Sequence, residues 1–145
     1  IGAVLSHGRA EHRVALFGIG NLGRAILAHF AGQSQKMVFV AAFDVDEDKI
    51  GRVTAGCRCY HLRELPALAA SLAIELGVLT VPASAAQAVA DLAAEAGIRG
   101  LLNFAPVPLR VPPGVVVDRF DIGAALEKVA YFAACRKAES RANRE

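Results

Sequence analysis

Gly18-Ile19-Gly20-Asn21-Leu22-Gly23 stands where an apolar run, residues 13–17 (RVALF), gives way to the spacing of an amphipathic helix. A bare GxGxxG is a weak signal. This one leaves a predicted strand, opens a predicted helix and is followed by Asp44, 21 residues past its last glycine. Each glycine then has its own reason: Gly18 permits the tight reversal, Gly20 lets a diphosphate approach the backbone, and Gly23 lets the helix lie close against the strand. Free N–H groups at the helix start and the positive end of its dipole attract the anion. Asp44 closes the next apolar run, where its carboxylate can accept hydrogen bonds from both hydroxyls of an adenosine ribose. The same charge repels a 2′-phosphate, so NAD is favoured over NADP. The plainer alternative is a glycine turn that only packs helix on strand.

Outward from this turn, short apolar runs alternate with Ala/Leu-rich helical runs, the pattern of βαβ units around a parallel sheet buried on both faces. The fold class expected is α/β, a doubly wound, mainly parallel sheet of the Rossmann type. Strands are expected at residues 13–18, 37–44, 57–61, 74–81, 100–104 and 115–120, and helices at 21–31, 62–70, 83–96 and 121–137. Residues 46–51 (DEDKIG) read as one turn of helix. Residues 105–114 (APVPLRVPPG) cannot form a central strand, because each proline lacks the ladder N–H, and they should cross the surface extended. In domain terms, residues 1–12 read as the remnant of a linker or leader, 13–120 as one nucleotide-binding domain, 121–138 as a separate helix and 139–145 as a frayed polar tail. Ile122, Leu126, Val129 and Phe132 line one face of that last helix, which must pack on its own sheet or on a second subunit.

The 145 residues are 54% hydrophobic and 21% charged, with a mean hydropathy of +0.40. That excludes a disordered tail and supplies one core. No apolar run reaches the roughly 18 residues of a membrane span, so a soluble cytoplasmic protein without a membrane partner is expected. Three cysteines are an odd number and fit a reducing compartment. A net charge of +2 is too small for a nucleic-acid face. The chain opens on Ile1 rather than Met, so a segment upstream is expected to have been removed.

Chemistry beyond binding is hard to find. Residues 80–84 and 103–106 hold no His, Lys, Tyr or carboxylate. Ser84 has neither a nucleophile-elbow context nor a partner pair, and reads as a helix N-terminal residue. The site is expected to bind a cofactor without catalysing a reaction. Cys57, Cys59 and His61 alternate along one strand but lack a fourth ligand, so an ordinary strand is expected and no metal. Cys135 reads as core or interface filler, His7, His12 and His29 as surface residues, and the mixed charges after Arg136 as a solvated end.

With these residues in hand, the chain resembles the Rex family of NADH-responsive transcriptional repressors, specifically their C-terminal cofactor domain. The resemblance lies in residues 14–26 (VALFGIGNLGRAI), 41–51 (AAFDVDEDKIG), 80–117 and 120–132 (FDIGAALEKVAYF), with LLNFAPV at 101–107 much more specific than the glycine turn. It implies a homodimer that senses the NADH/NAD+ ratio and represses genes of anaerobic or fermentative metabolism. It also implies that DNA is contacted only through an N-terminal winged-helix domain, which these residues do not include. By the same resemblance, Gly18, Ile19, Gly20, Asn21, Leu22 and Gly23 would cradle the diphosphate and Asp44 would take the ribose. Val45 and Lys49 would border the adenine, and Val81, Pro82, Asn103, Phe104, Ala105 and Pro106 would approach the nicotinamide half. The C-terminal helix would be exchanged between subunits, bringing Asp121 near the partner's pocket. Two positions differ from the family pattern. Phe30 replaces a tyrosine that some members place late in the first helix, and Ile122 stands where an aromatic can plug the pocket. Both bear on switching contacts more than on cofactor binding.

The physical logic of such a sensor is charge. NAD+ carries a cationic ring and NADH a neutral one, so an apolar wall such as Phe104, Ala105 and Pro106 penalises the oxidised form by desolvation. The alternative from another class is the coenzyme A binding domain of an acyl-CoA synthetase type enzyme, which shares the sheet and glycine turn. Asp44 separates the two, because a carboxylate there suits a free ribose diol and repels a 3′-phosphate. A third reading, the nucleotide lobe of a dehydrogenase, lacks an acid or base beside residues 101–106.

Overall fold

Four consecutive residues before the glycine turn, Val14 to Phe17, are buried in the central strand β1 (His12–Phe17). The structure, a computed structural model, describes residues 11–32 and 36–144. After β1 come α1 (Asn21–Ala31), β2 (Met37–Asp44), β3 (Val53–Thr54), β4 (Cys57–His61), a 3-10 turn at Leu62–Glu64 and α2 (Leu65–Ser71). The second half runs β5 (Leu76–Leu79), α3 (Ala83–Glu95), β6 (Gly100–Asn103), β7 (Val116–Arg119) and α4 (Ile122–Ala142). The sheet order is β3-β4-β2-β1-β5-β6-β7, and every pairing is parallel except β3 with β4. From β1 the chain winds to one side through β2 and β4, then returns to fill the other side. The direction reverses between β1 and β5, and the crevice at such a switch point is where doubly wound folds bind ligands. The expected fold class is therefore the observed one.

Differences from expectation are local and have physical reasons. β3 was not legible: it is two residues long, joined to β4 through Ala55 and Gly56, both at positive φ (50° and 80°). That is the geometry of a two-residue hairpin turn, without the Asn-Gly that usually announces it. Residues 46–51 form turns rather than a turn of helix, because the Asp46 carboxylate accepts from Asp48 N at 3.0 Å and competes with helical bonding. The helix expected at 62–70 is split. His61 and Glu64 form a reciprocal capping box around the 3-10 turn, and Pro66 stands in the first turn of α2. The fourth expected strand shrinks to β5. The last helix continues to Ala142, past the expected end at 137, since Glu, Arg and Ala all favour helix. The leader expected at residues 1–12, His7 included, lies outside the described residues up to residue 10.

The core divides into two clusters. One joins Ala15, Phe17, Phe43 and Leu79 to Leu65 of α2 and Val89, Ala90 and Ala93 of α3. The other joins Val14, Leu16 and Val78 to Leu27 of α1, with Cys57 and Cys59 filling its far end. Burial pushes both thiols up to about 11, Cys59 further helped by the nearby Asp44 charge. They are packing groups, and no metal-binding cluster occurs among the described residues. The proline-rich stretch crosses the surface as expected. The Gln87 side chain of α3 bonds both Arg110 N (2.9 Å) and Arg110 O (2.8 Å), strapping it down.

α4 is where the two options for the last helix separate. It does not pack on its own sheet: none of its residues is buried, and Leu126 and Phe132 are 67% and 56% exposed. On the sheet itself, an apolar groove of about 650 Å³ lies open, lined by Val14, Ile26, Phe39, Val78, Leu102 and Val116 among others. No helix of the described residues is long and apolar enough to cross a membrane.

Candidate functional site

Three glycines shape the turn between β1 and α1, and the structure gives each a different constraint. Gly18 has φ +92°, and a Cβ there would meet Thr80 O at 2.7 Å. Gly23 has no room either, because a Cβ would collide with the Gly18 carbonyl and crowd the Thr80 hydroxyl. Around Gly20, by contrast, nothing lies within 4 Å of a built Cβ. The chain is thus tight at both ends of the turn and open at its middle, beside the start of α1. No side chain caps that helix at Gly20, so its first N–H groups are left for water or an anion. Asn21 does not cap it; its side-chain oxygen accepts from Arg24 at 2.6 Å.

Asp44, at the end of β2, is the electrostatic centre of the turn. One carboxylate oxygen accepts from Ile19 N (2.8 Å). The other accepts from Val45 N (2.7 Å) and Asp46 N (3.0 Å), and Lys49 Nζ lies 3.8 Å away. Burial by itself raises the Asp44 pKa, but the three backbone N–H groups and the Lys49 charge outweigh it, and the carboxyl is held below its ordinary value. The group is ionised at neutral pH. Three of its roughly four acceptor positions are taken.

Two cavities flank the turn. The larger, about 680 Å³, is lined by Gly18, Ile19, Gly20, Asp44, Val45 and Lys49, with Thr80, Val81 and Pro82 on its far wall. The smaller, about 120 Å³, lies beyond Leu22 and is lined by Phe104, Ala105, Pro106, Phe120 and Ile122 together with Arg119 and Asp121. The sequence-derived residues are therefore brought to one end of the sheet but sorted into two groups. Val81 and Pro82 belong with the Asp44 side, not with Phe104 to Pro106. Asn103 lines neither cavity. It is 1% exposed, and its amide donates to Val107 O (2.8 Å) and accepts from Ala105 N (2.9 Å), fixing the turn that presents Ala105 and Pro106.

Two residues were missed from sequence. The Thr80 hydroxyl sits 2.6 Å from Gly18 O and 3.0 Å from Phe17 O, and with one proton it donates to the nearer, locking β5 to the glycine turn. Arg119 pairs with Asp121 at 3.5 Å. Neither carries a motif, and only the fold brings them to the site. Asp121 itself caps α4, accepting from Ala124 N at 2.9 Å. Phe30 packs on Phe39, ring centroids 5.2 Å apart, and borders the apolar groove rather than either flanking cavity. Ser84 lies in the first turn of α3, as expected.

Residues 9–107 match the family described as CoA binding domain. The chain is 44% identical over 119 residues to the redox-sensing transcriptional repressor Rex of Geobacillus kaustophilus, covering 82% of this chain and 55% of the relative. It is 41% identical over 119 residues to that of Anoxybacillus flavithermus, covering 82% and 56%. The chain thus spans about half the length of these curated relatives. Among solved structures, the Rex-family repressor RSP superposes with a TM-score of 0.84 at 24% identity, over 96% of this chain and 66% of that one. RSP has also been solved with beta-NADH (TM-score 0.83, 24% identity, 96% and 67% covered) and with beta-NAD+ and operator DNA (0.81, 24%, 99% and 65%). At that identity the likeness shows the fold.

Proposed function

The chain belongs to the CoA-binding-domain family and, within it, to the Rex group of redox-sensing repressors, and from that premise we propose that it is the NAD(H)-binding sensor part of a cytoplasmic repressor. The observation that carries the reading is the ionised Asp44 carboxylate, hydrogen-bonded to Ile19 N inside the glycine turn and lining the larger of the two cavities beside that turn. Gly18 to Gly23 hold the diphosphate against the uncapped start of α1. Val45 and Lys49 border the adenine in the larger cavity, with Val81 and Pro82 opposite. Phe104, Ala105 and Pro106 receive the nicotinamide in the smaller one, and Asn103 supports them from beneath. With one acceptor position free, Asp44 takes one ribose hydroxyl without releasing a backbone N–H, rather than both. The proposed role is binding rather than catalysis: Asp121, the carboxylate that lines the smaller cavity, is engaged by Ala124 N and Arg119 instead of standing free as a base.

A sensor must also transmit. The exposed stripe of α4 and the open groove on the sheet are two apolar surfaces of the kind that a second copy covers, which supports a homodimer joined through the C-terminal helix, residues 121–138. Asp121 and Ile122 lie at the root of that helix and on the wall of the smaller cavity, so a ligand there bears directly on how the helix leaves the domain. NADH and NAD+ then shift the dimer only in so far as they bind its conformations differently. Operator DNA is contacted by sequence outside these residues, as fits the small net charge.

The family description leaves coenzyme A as the second ligand to test, and Asp44 opposes its 3′-phosphate. Calorimetric titration of the chain with NADH, NAD+ and coenzyme A decides. The reading expects NADH to bind more tightly than NAD+ with no coenzyme A signal. A coenzyme A response without nicotinamide binding would overturn it.

A further inference from the structure

Resting on the NAD(H) reading just given, we propose that Arg119, by holding the Asp121 carboxylate, sets the preference of the smaller cavity for a neutral over a cationic ring. Leu22, Phe104, Ala105, Pro106, Phe120 and Ile122 give that cavity an apolar wall, and Phe104 and Phe120 pack with ring centroids 5.1 Å apart. Arg119 and Asp121 are the two charged residues that line it. A carboxylate on an apolar wall is the natural counter-ion for a pyridinium, and by itself Asp121 would favour the oxidised cofactor. It is not by itself. One of its oxygens accepts from Ala124 N and the other lies 3.5 Å from the Arg119 guanidinium. Arg119 cancels the anion, so the pair carries no net charge and a cationic ring meets no net compensation for leaving water. A neutral dihydronicotinamide is indifferent to both charges.

The position of Arg119 is set by the fold. It ends β7 in register with Asn103, and Phe120 N bonds Asn103 O at 2.9 Å. The backbone of Arg119 is therefore fixed beside the turn that Asn103 supports. Both partners are nearly half exposed, so water and salt screen the interaction and the effect is several-fold rather than many orders of magnitude.

The experiment is calorimetric titration of the full chain and its variants with NADH, NAD+ and ADP-ribose. Arg119→Met keeps the apolar stem and removes the charge. NAD+ affinity is expected to rise about two- to fivefold, with NADH and ADP-ribose within about 1.5-fold of the parent. Arg119→Lys retains a cation and is expected to keep the parental preference. Asp121→Asn retains an N-cap and is expected to weaken NAD+ relative to NADH. An unchanged NAD+/NADH ratio in Arg119→Met, with the parent binding NADH normally, overturns the inference and leaves the cofactor reading standing. A parent chain that binds neither dinucleotide overturns both.

Discussion

The glycine turn and the C-terminal helix are opposite kinds of surface. At the turn, the groups that shape the ligand cleft are held by the chain itself: Asp44 by three backbone N–H groups, the Gly18 carbonyl by Thr80, the Asn103 amide by its own loop, while the first N–H groups of α1 stay open. Along α4 the reverse holds, with Ile122, Leu126, Val129, Tyr131 and Phe132 all exposed. One region is finished within a single chain and preorganised for a ligand. The other carries an uncovered apolar stripe, and 21 residues of helix gain little from propensity without packing. The proposed sensing role calls for this difference, because a rigid site can move only something that is loosely held.

The comparison breaks most readily at α4. Leu126→Lys combined with Val129→Lys is expected to turn the proposed dimer into a monomer in sedimentation velocity while leaving the sheet folded; an unaltered dimer would show that the helix is not the joint. At the turn, Gly23→Val is expected to cost about 2 kcal/mol or more, since overpacking has nowhere to relax, and to lower the melting temperature. Gly20→Ala is the control, with open space around it and little expected change in melting.

Smaller effects sharpen the account. Asp44→Asn keeps the shape and loses the charge, and about tenfold weaker NADH binding is expected at neutral pH, the scale of one hydrogen bond to a charged acceptor. Because the folded-state pKa of Asp44 is depressed, the charged form stabilises the fold above the ordinary aspartate value, and that contribution is lost as the pH falls through the lowered one. The melting difference between parent and Asp44→Asn should therefore be full at neutral pH and vanish in acid. A difference that persisted in acid would mean the ion is not its source. The smallest effect is chemical. Cys57 and Cys59, buried and with pKa values of about 11, are expected to resist thiol labelling at neutral pH in the native chain and to react once it is denatured.

What could be read from sequence follows the same division. The strand, turn and helix at residues 12–31 and the placing of Asp44 were legible because glycine spacing, apolar runs and a carboxylate at a fixed offset are local features. The hairpin at Val53–Arg58 was not, since a two-residue strand leaves no periodicity and Ala-Gly is a quiet turn signal. Thr80, Arg119 and the supporting role of Asn103 were hidden for a different reason. Thr80 acts on a carbonyl far away in the chain, Asn103 on backbone whose path only the fold defines, and Arg119 on its near neighbour Asp121, a pair that matters only because the fold sets both on the smaller cavity. The stripe on α4 was visible, but whether the chain's own sheet would cover it was decided only in three dimensions.

The most direct test is sedimentation velocity of the parent chain with NADH, following protein and bound reduced nicotinamide together. A site complete in each chain and a helix that needs a partner predict that NADH travels with a species of two chains, one ligand per chain. NADH left behind at the meniscus, or travelling with a single chain, would contradict the account.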